Sequence, residues 1–133
     1  MADETLVTIN VDADIVTARQ KGRAVAAQLG FTSTDLTLIA TAISELARNI
    51  VLYAERGEIR LSIVEKGSRQ GIQVISSDTG PGIPDIDRAM QGGFSTSGSL
   101  GLGLPGVRRL MDEMEIESEV GKGTTVKTRK WKR

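Results

Sequence analysis

Residues 5–11 alternate apolar and β-branched with polar side chains, the two-residue period of a strand with one buried face. The period then lengthens. Asp12 or Asp14 can cap a helix that runs to Leu29, where Gly30 supplies a left-handed stop. A second helix starts near Ser33 to Asp35 and carries Leu36, Ile39, Ala40, Ile43, Leu46, Ala47, Ile50 and Ala54 at spacings of three and four, a continuous core-facing stripe. Residues 58–66 and 71–79 read as two strands, and the short polar connection GSRQ between them predicts an antiparallel hairpin. A short helical stretch follows DTGPGIP, and the Gly- and Ser-rich segment GGFSTSGSLGLG after it reads as a mobile loop. Pro105 suits the first turn of a helix ending near Met111 to Glu113, and EIESEV, GKG and TTVKTRKWK close the chain as a hairpin. Helices interspersed with hairpins predict an α/β fold, a two-layer α/β sandwich, as one domain over residues 1–133.

Composition narrows the chemistry. The chain has 133 residues, with 17 basic against 17 acidic side chains, so no global field draws it to nucleic acid or an anionic membrane. Cysteine and histidine are both absent, which excludes disulfides, thiolate or ordinary zinc sites, a Cys nucleophile and His-based proton transfer. Oxygen and amide groups must act. The acidic N-terminus lacks the basic and apolar regions of a signal peptide, and no segment is expected to span a membrane, so a cytoplasmic protein is expected.

Three segments can carry chemistry. Glu45 and Asn49 lie one turn apart and about 40° apart around the second helix, so they can act on one ligand. The same wheel puts them beside Leu38, Ala42 and Tyr53 and away from a polar edge of Thr41, Ser44 and Arg48. A carboxylate on that border needs a partner, and a metal-phosphate with its waters would serve; a plain solvated face is the alternative. In DTGPGIP (78–84), Asp78 ends a strand and Gly80 and Gly82 permit close approach to the main chain. Asp78 there can accept from an exocyclic amine, reading adenine over guanine; a turn capped by an Asp is the rival. Gly98, Gly101, Gly103 and Gly106 surround a helix start, where amides and dipole favour an anion such as phosphate, unless the run is only a flexible loop. The spacing does not fit a Walker-type loop with its lysine, and GxGxxG at 101–106 lacks the strand that precedes it in a dinucleotide fold.

Taken together in this order and context, the segments resemble the GHKL ATPase superfamily. ELARN (45–49) is similar to its N box, DTGPGIP (78–84) to the first glycine box, SLGLGLPGV (99–107) to the second, and GKGTTV (121–126) to the terminal Gly-Thr motif. The resemblance implies a Bergerat fold, with a mixed, largely antiparallel sheet covered on one face by helices, and a mobile ATP lid at about 92–100. It implies ATP and Mg²⁺ as cofactors. Glu45 would orient or deprotonate the nucleophile, and Asn49 would ligate Mg²⁺. Asp78 would bind the adenine amine with support from Thr124, and Gly80 and Gly82 would shape the base pocket. The run Gly101, Leu102, Gly103 and Leu104 would face the phosphates. Two positions depart from the family pattern: Ser99 replaces the first glycine of the second box, and Pro105-Gly106 replaces a more ordinary helical pair.

A stand-alone domain of this length is similar to the serine/threonine kinases of bacterial partner-switching systems, which include anti-sigma factors. DIVTARQKGR, AISELARNI, GFSTSG and GLPGVRRLMDE point to the stressosome switch kinases among them. The resemblance implies STAS-domain scaffold and antagonist proteins as substrates and a downstream output regulator, such as a phosphatase, as a further partner. The rival is an ATP-loaded anti-sigma factor that sequesters its partner. The tail KTRKWKR reads as a terminal strand rather than a nucleic-acid patch, because balanced charge elsewhere offers no phosphate track. Met90, Met111, Met114, Tyr53 and Phe94 are expected to fill core gaps, and Arg108 and Arg109 to face solvent or a partner.

Overall fold

The computed structural model describes residues 4–83, Met90 and residues 103–133. Five strands, β1 (Glu4–Ile9), β2 (Gly57–Lys66), β3 (Arg69–Asp78), β4 (Glu113–Glu119) and β5 (Gly123–Trp131), form one sheet in the order β1-β2-β3-β5-β4. Every pairing is antiparallel, where a mixed, largely antiparallel sheet was expected. Three α-helices, α1 (Asp12–Gln28), α2 (Ser33–Asn49) and α3 (Gly103–Leu110), and one π-helical turn, Ile50–Ala54, complete the described elements. The α/β architecture expected from the sequence is present. The short helix expected after DTGPGIP and the lid at 92–100, with Phe94, lie outside the described residues.

Alternation sorts the sheet into two faces. Val7 and Ile9 of β1, Ile59 and Leu61 of β2, Ile72 and Val74 of β3 and Val126 of β5 join Ile39, Ile43, Leu46 and Ile50 in one buried core. The opposite face carries charge across neighbouring strands: Glu113 and Glu115 on β4 stand opposite Arg129 and Lys127 on β5. Arg129 lies 3.6 Å from Glu113 and donates through Nε to Gln73 on β3.

Local signals explain the helix ends. The Asp14 carboxylate reaches back to the amides of Asn10 and Val11, at 2.8 and 3.0 Å, and fixes the start of α1. Thr32 caps α2 by accepting from the Asp35 amide. At the crossing of α1 with α2, a Cβ on Gly22 would collide with the terminal Cδ1 of Ile43, so a larger residue there would require that side chain to move.

Four expectations need correction. The second helix does not stay α-helical to Ala54: it widens into a π-helical turn, Ile50–Ala54, directly after Asn49. That turn leaves Leu52 and Tyr53 half exposed, so Tyr53 is not a core filler, whereas Met111 is buried. The β2–β3 connection is two residues, Gly67 and Ser68, because Lys66 pairs directly with Arg69. Finally, Ser33–Ala54 is long and apolar enough by composition to cross a membrane, contrary to expectation. Its apolar stripe, however, is spent on the core formed with the sheet.

Candidate active site

Strand register assembles the first part of the site. Asp78 lies opposite Gly57 on β2 and Thr124 on β5, and Thr124 lies opposite Ser118 on β4, so all these positions share the helix-facing side at one end of the sheet. Oδ1 of Asp78 accepts from the Gly80 amide at 2.9 Å and from the Thr124 amide at 3.3 Å. Thr124 and Ser118 hydroxyls lie 2.8 Å apart, and Ser118 Oγ also accepts from the Ile83 amide at 2.7 Å. The DTGPGIP loop is thereby tied to the β4–β5 hairpin on both sides, a tie completed by the Gly121 amide donating to the Pro81 carbonyl.

Two glycines of this loop have reasons inside the protein. A Cβ on Gly80 would come within 2.6 Å of Ala54 Cβ, at the end of the π-helical turn. Gly82 holds φ at 80°, and a Cβ there would strike the carbonyl of Glu119. Gly80 therefore lets the strand end close on the second helix, and Gly82 lets the loop close on the β4–β5 hairpin.

The helix supplies the second part. Glu45 is 4% exposed and Asn49, the last residue of α2, is half buried. Glu45 has a partner that the sequence reading placed on the other side of the helix: Arg48 donates to Oε1 at 2.8 Å. An i,i+3 pair is ordinary on a helix, and that spacing was the available signal. Ser44, expected on a polar edge, is buried and donates to the Ala40 carbonyl, so the polar edge is narrower than the wheel suggested.

α2 packs against both α1 and α3, the helix whose first two residues are Gly103 and Leu104. Leu104 is partly buried against the core, and Arg108 and Arg109 are exposed as expected. Gly101 and Leu102 lie outside the described residues. The structure thus joins Asp78, Gly80 and Thr124 through direct contacts, sets Gly82 against the β4–β5 hairpin at Glu119, and links Asn49 to the group along the π-helical turn that touches Gly80.

Residues 34–132 match the family described as Histidine kinase-, DNA gyrase B-, and HSP90-like ATPase. The chain belongs to this ATPase family. Within it, the chain is 53% identical over 133 residues, all of both chains, to Serine/threonine-protein kinase RsbT of Bacillus subtilis (strain 168). This bears out the expectation of a serine/threonine kinase. It is also 38% identical over 121 residues to an Anti-sigma F factor of Geobacillus stearothermophilus, covering 85% of this chain and 81% of that one. Among solved structures, the RsbU and RsbW domains of Rv1364c from Mycobacterium tuberculosis match in fold with a TM-score of 0.59 and 24% identity, over 97% of this chain and 33% of that one.

Family membership makes nucleotide the ligand against which to test the pocket. Asp78 has Oδ1 committed to two backbone amides, which leaves Oδ2 as an acceptor for an exocyclic amine. Among the described residues no group of three or more Asp, Glu, His or Cys side chains could hold a metal by itself. A half-buried amide oxygen at Asn49 fits a cation that takes few protein ligands and completes its shell with phosphates and water, as Mg²⁺ does.

Proposed function

We propose that the chain is an ATP- and Mg²⁺-dependent switch kinase in a bacterial stress-signalling partner-switching module. In this reading it phosphorylates serine or threonine on STAS-domain scaffold and antagonist proteins of a stressosome and, once released, binds a downstream output regulator such as a phosphatase. The observation that carries the reading is the Asp78 carboxylate, pinned by Gly80 and Thr124, in a chain similar over its full length to a serine/threonine kinase.

Each residue then has a defined task. Asp78 accepts from the adenine amino group, Thr124 supports it, and Gly80 and Gly82 shape the base pocket. Asn49 would supply an oxygen to Mg²⁺, and Gly101, Leu102, Gly103 and Leu104 are the residues assigned to the phosphates. Glu45 orients the substrate hydroxyl and takes its proton as the oxygen attacks the γ-phosphorus in line. Bound ATP would supply the phosphoryl group, its bond from the γ-phosphorus to the β–γ bridging oxygen breaking as ADP leaves, and Mg²⁺ held through Asn49 would supply neutralising charge.

The likeness to anti-sigma F factors favours a second reading, an ATP-loaded module that sequesters its partner with transfer secondary. One experiment separates them: incubation with γ-labelled ATP, Mg²⁺ and a STAS-domain protein, with Glu45→Ala as control. Label on a substrate Ser or Thr that disappears in the variant, while nucleotide stays bound, supports the kinase. Tight ATP binding with no transfer by the wild type supports the sequestering module.

A further inference from the structure

The ion pair between Glu45 and Arg48 is used by none of the tasks above. Oε1 of Glu45 accepts from Arg48 at 2.8 Å, with the Glu45 side chain 5% exposed and that of Arg48 39% exposed. A carboxylate buried to that degree needs a charged or hydrogen-bonding partner, and the guanidinium is the one the described residues provide. No described residue donates to Oε2. Among the described residues, one oxygen is therefore anchored and the other has no donor. A guanidinium offers donors and no acceptor, so Arg48 cannot itself take the proton of a substrate hydroxyl. Its Nη1–H can instead fix the direction of the one carboxylate oxygen it holds.

We infer that Arg48 is a positioning residue for phosphoryl transfer, holding Oε1 of Glu45 so that Oε2 faces the substrate hydroxyl. The inference rests on the reading of Glu45 as the base. Arg48 immediately precedes Asn49, so one helical turn from Glu45 to Asn49 sets the base, its anchor and the residue assigned to the metal. The pair also explains how an acid at a helix–sheet boundary is tolerated before any nucleotide binds.

The test compares Arg48→Gln, Arg48→Lys, Glu45→Gln and the double variant Glu45→Gln/Arg48→Gln with wild type, on a STAS-domain protein substrate. Misplacing a catalytic group by about 1 Å can cost on the order of 100-fold. Arg48→Gln is expected to lower kcat by about 10- to 100-fold, with ATP affinity and the KM for protein substrate within about twofold of native. Arg48→Lys keeps the charge without the guanidinium and is expected to fall between. The double variant is expected to be no slower than Glu45→Gln alone, because Arg48 acts only through Glu45. Native kcat in Arg48→Gln, losses that multiply in the double variant, or a raised KM at native kcat each overturn the inference. If the Gln variant fails to bind ATP because it misfolds, the Lys variant decides: lowered kcat at native ATP affinity upholds the inference and native kcat overturns it. If Glu45→Gln itself transfers phosphate at the native rate, the base reading has failed and the inference falls with it. Loss in Glu45→Gln with native activity in both Arg48 variants overturns the inference alone.

Discussion

The Asp78 carboxylate is half committed before any nucleotide arrives, because Oδ1 already serves the amides of Gly80 and Thr124. Asn at this position has one oxygen and one NH₂, so whichever end it turns inward it loses. With oxygen toward the amides, the NH₂ meets the adenine amine donor to donor; turned round, it meets two backbone N–H groups. Under the proposed function Asp78→Asn should therefore weaken ATP binding by about 10- to 100-fold, on the order of 1–3 kcal/mol for a lost acceptor of this kind. A titration with fluorescent or unlabelled ATP that returned native affinity would refute the adenine assignment. Asp14 offers a separate test. Its carboxyl is held below the ordinary carboxylate value by the hydrogen bonds from the amides of Asn10 and then Val11. A lowered folded-state pKa stabilises the protein above the unfolded value, and the contribution disappears as pH falls through the folded one. Asp14→Asn should thus melt below wild type at pH 7, and the gap should close as pH falls from about 4 into the region below it. A gap that persists unchanged at acid pH would show that the charge of Asp14 contributes nothing.

At the scale of elements, the basic tail illustrates what alternation decides. Lys130 sits on the helix side of β5, is 8% exposed, and donates through Nζ to the Leu110 carbonyl at 2.8 Å, the last residue of α3. A cation there meets both an unpaired carbonyl and the negative end of the helix dipole. Arg129, one residue earlier, points to the other face and pairs with Glu113. Trp131 donates through Nε1 to Glu113, with the Arg69 guanidinium 5.0 Å from the centre of its ring. Replacing Lys130 with Met keeps the stem's apolar contacts but strands the Leu110 carbonyl. Relief from burying a charge opposes that loss, and a net destabilisation of about 1–2 kcal/mol is expected from the lost charged hydrogen bond. Chemical denaturation of Lys130→Met would check it; unchanged stability would mean that α3 needs no cap from β5. The strands, α1 and the stripe of α2 were legible in sequence because period and caps act locally. The π-helical turn was not, because residues 50–54 continue an α-helical apolar period and only the packed structure displays the wider turn. The Glu45–Arg48 pair was missed for a related reason. A helical wheel assigns directions to Cβ atoms, whereas long side chains reach neighbours three positions away.

For the whole molecule, what matters is that the candidate site is built from separate parts of the chain that hold one another. The Asp78 loop is joined to the β4–β5 hairpin through Ser118 and Pro81, and to the second helix through Gly80 against Ala54. Motif order along the sequence made the family readable, but these ties were not, since they depend on which strands become neighbours, and β3 is flanked by β2 and β5 rather than by β4. A ligand that bridges such parts binds the folded chain and not the unfolded one, so nucleotide binding must appear as global stability. At a free ATP concentration 100 times the dissociation constant, the gain is about 2.7 kcal/mol. For a chain of this length that corresponds to a rise in Tm of roughly 10 °C. Mg²⁺ with ATP should therefore shift the melt of wild type by about that much. Asp78→Asn should shift much less at the same concentration, since its dissociation constant is raised, whereas Glu45→Ala should retain nearly the full shift because it is assigned to transfer and not to holding the base. The contrast between the two variants is what makes the measurement decisive. An equal shift in all three proteins would detach Asp78 from the nucleotide, and a shift lost in both variants would mean that Glu45 contributes to binding, so that loss of phosphorylation in its variants could no longer be read as loss of a base.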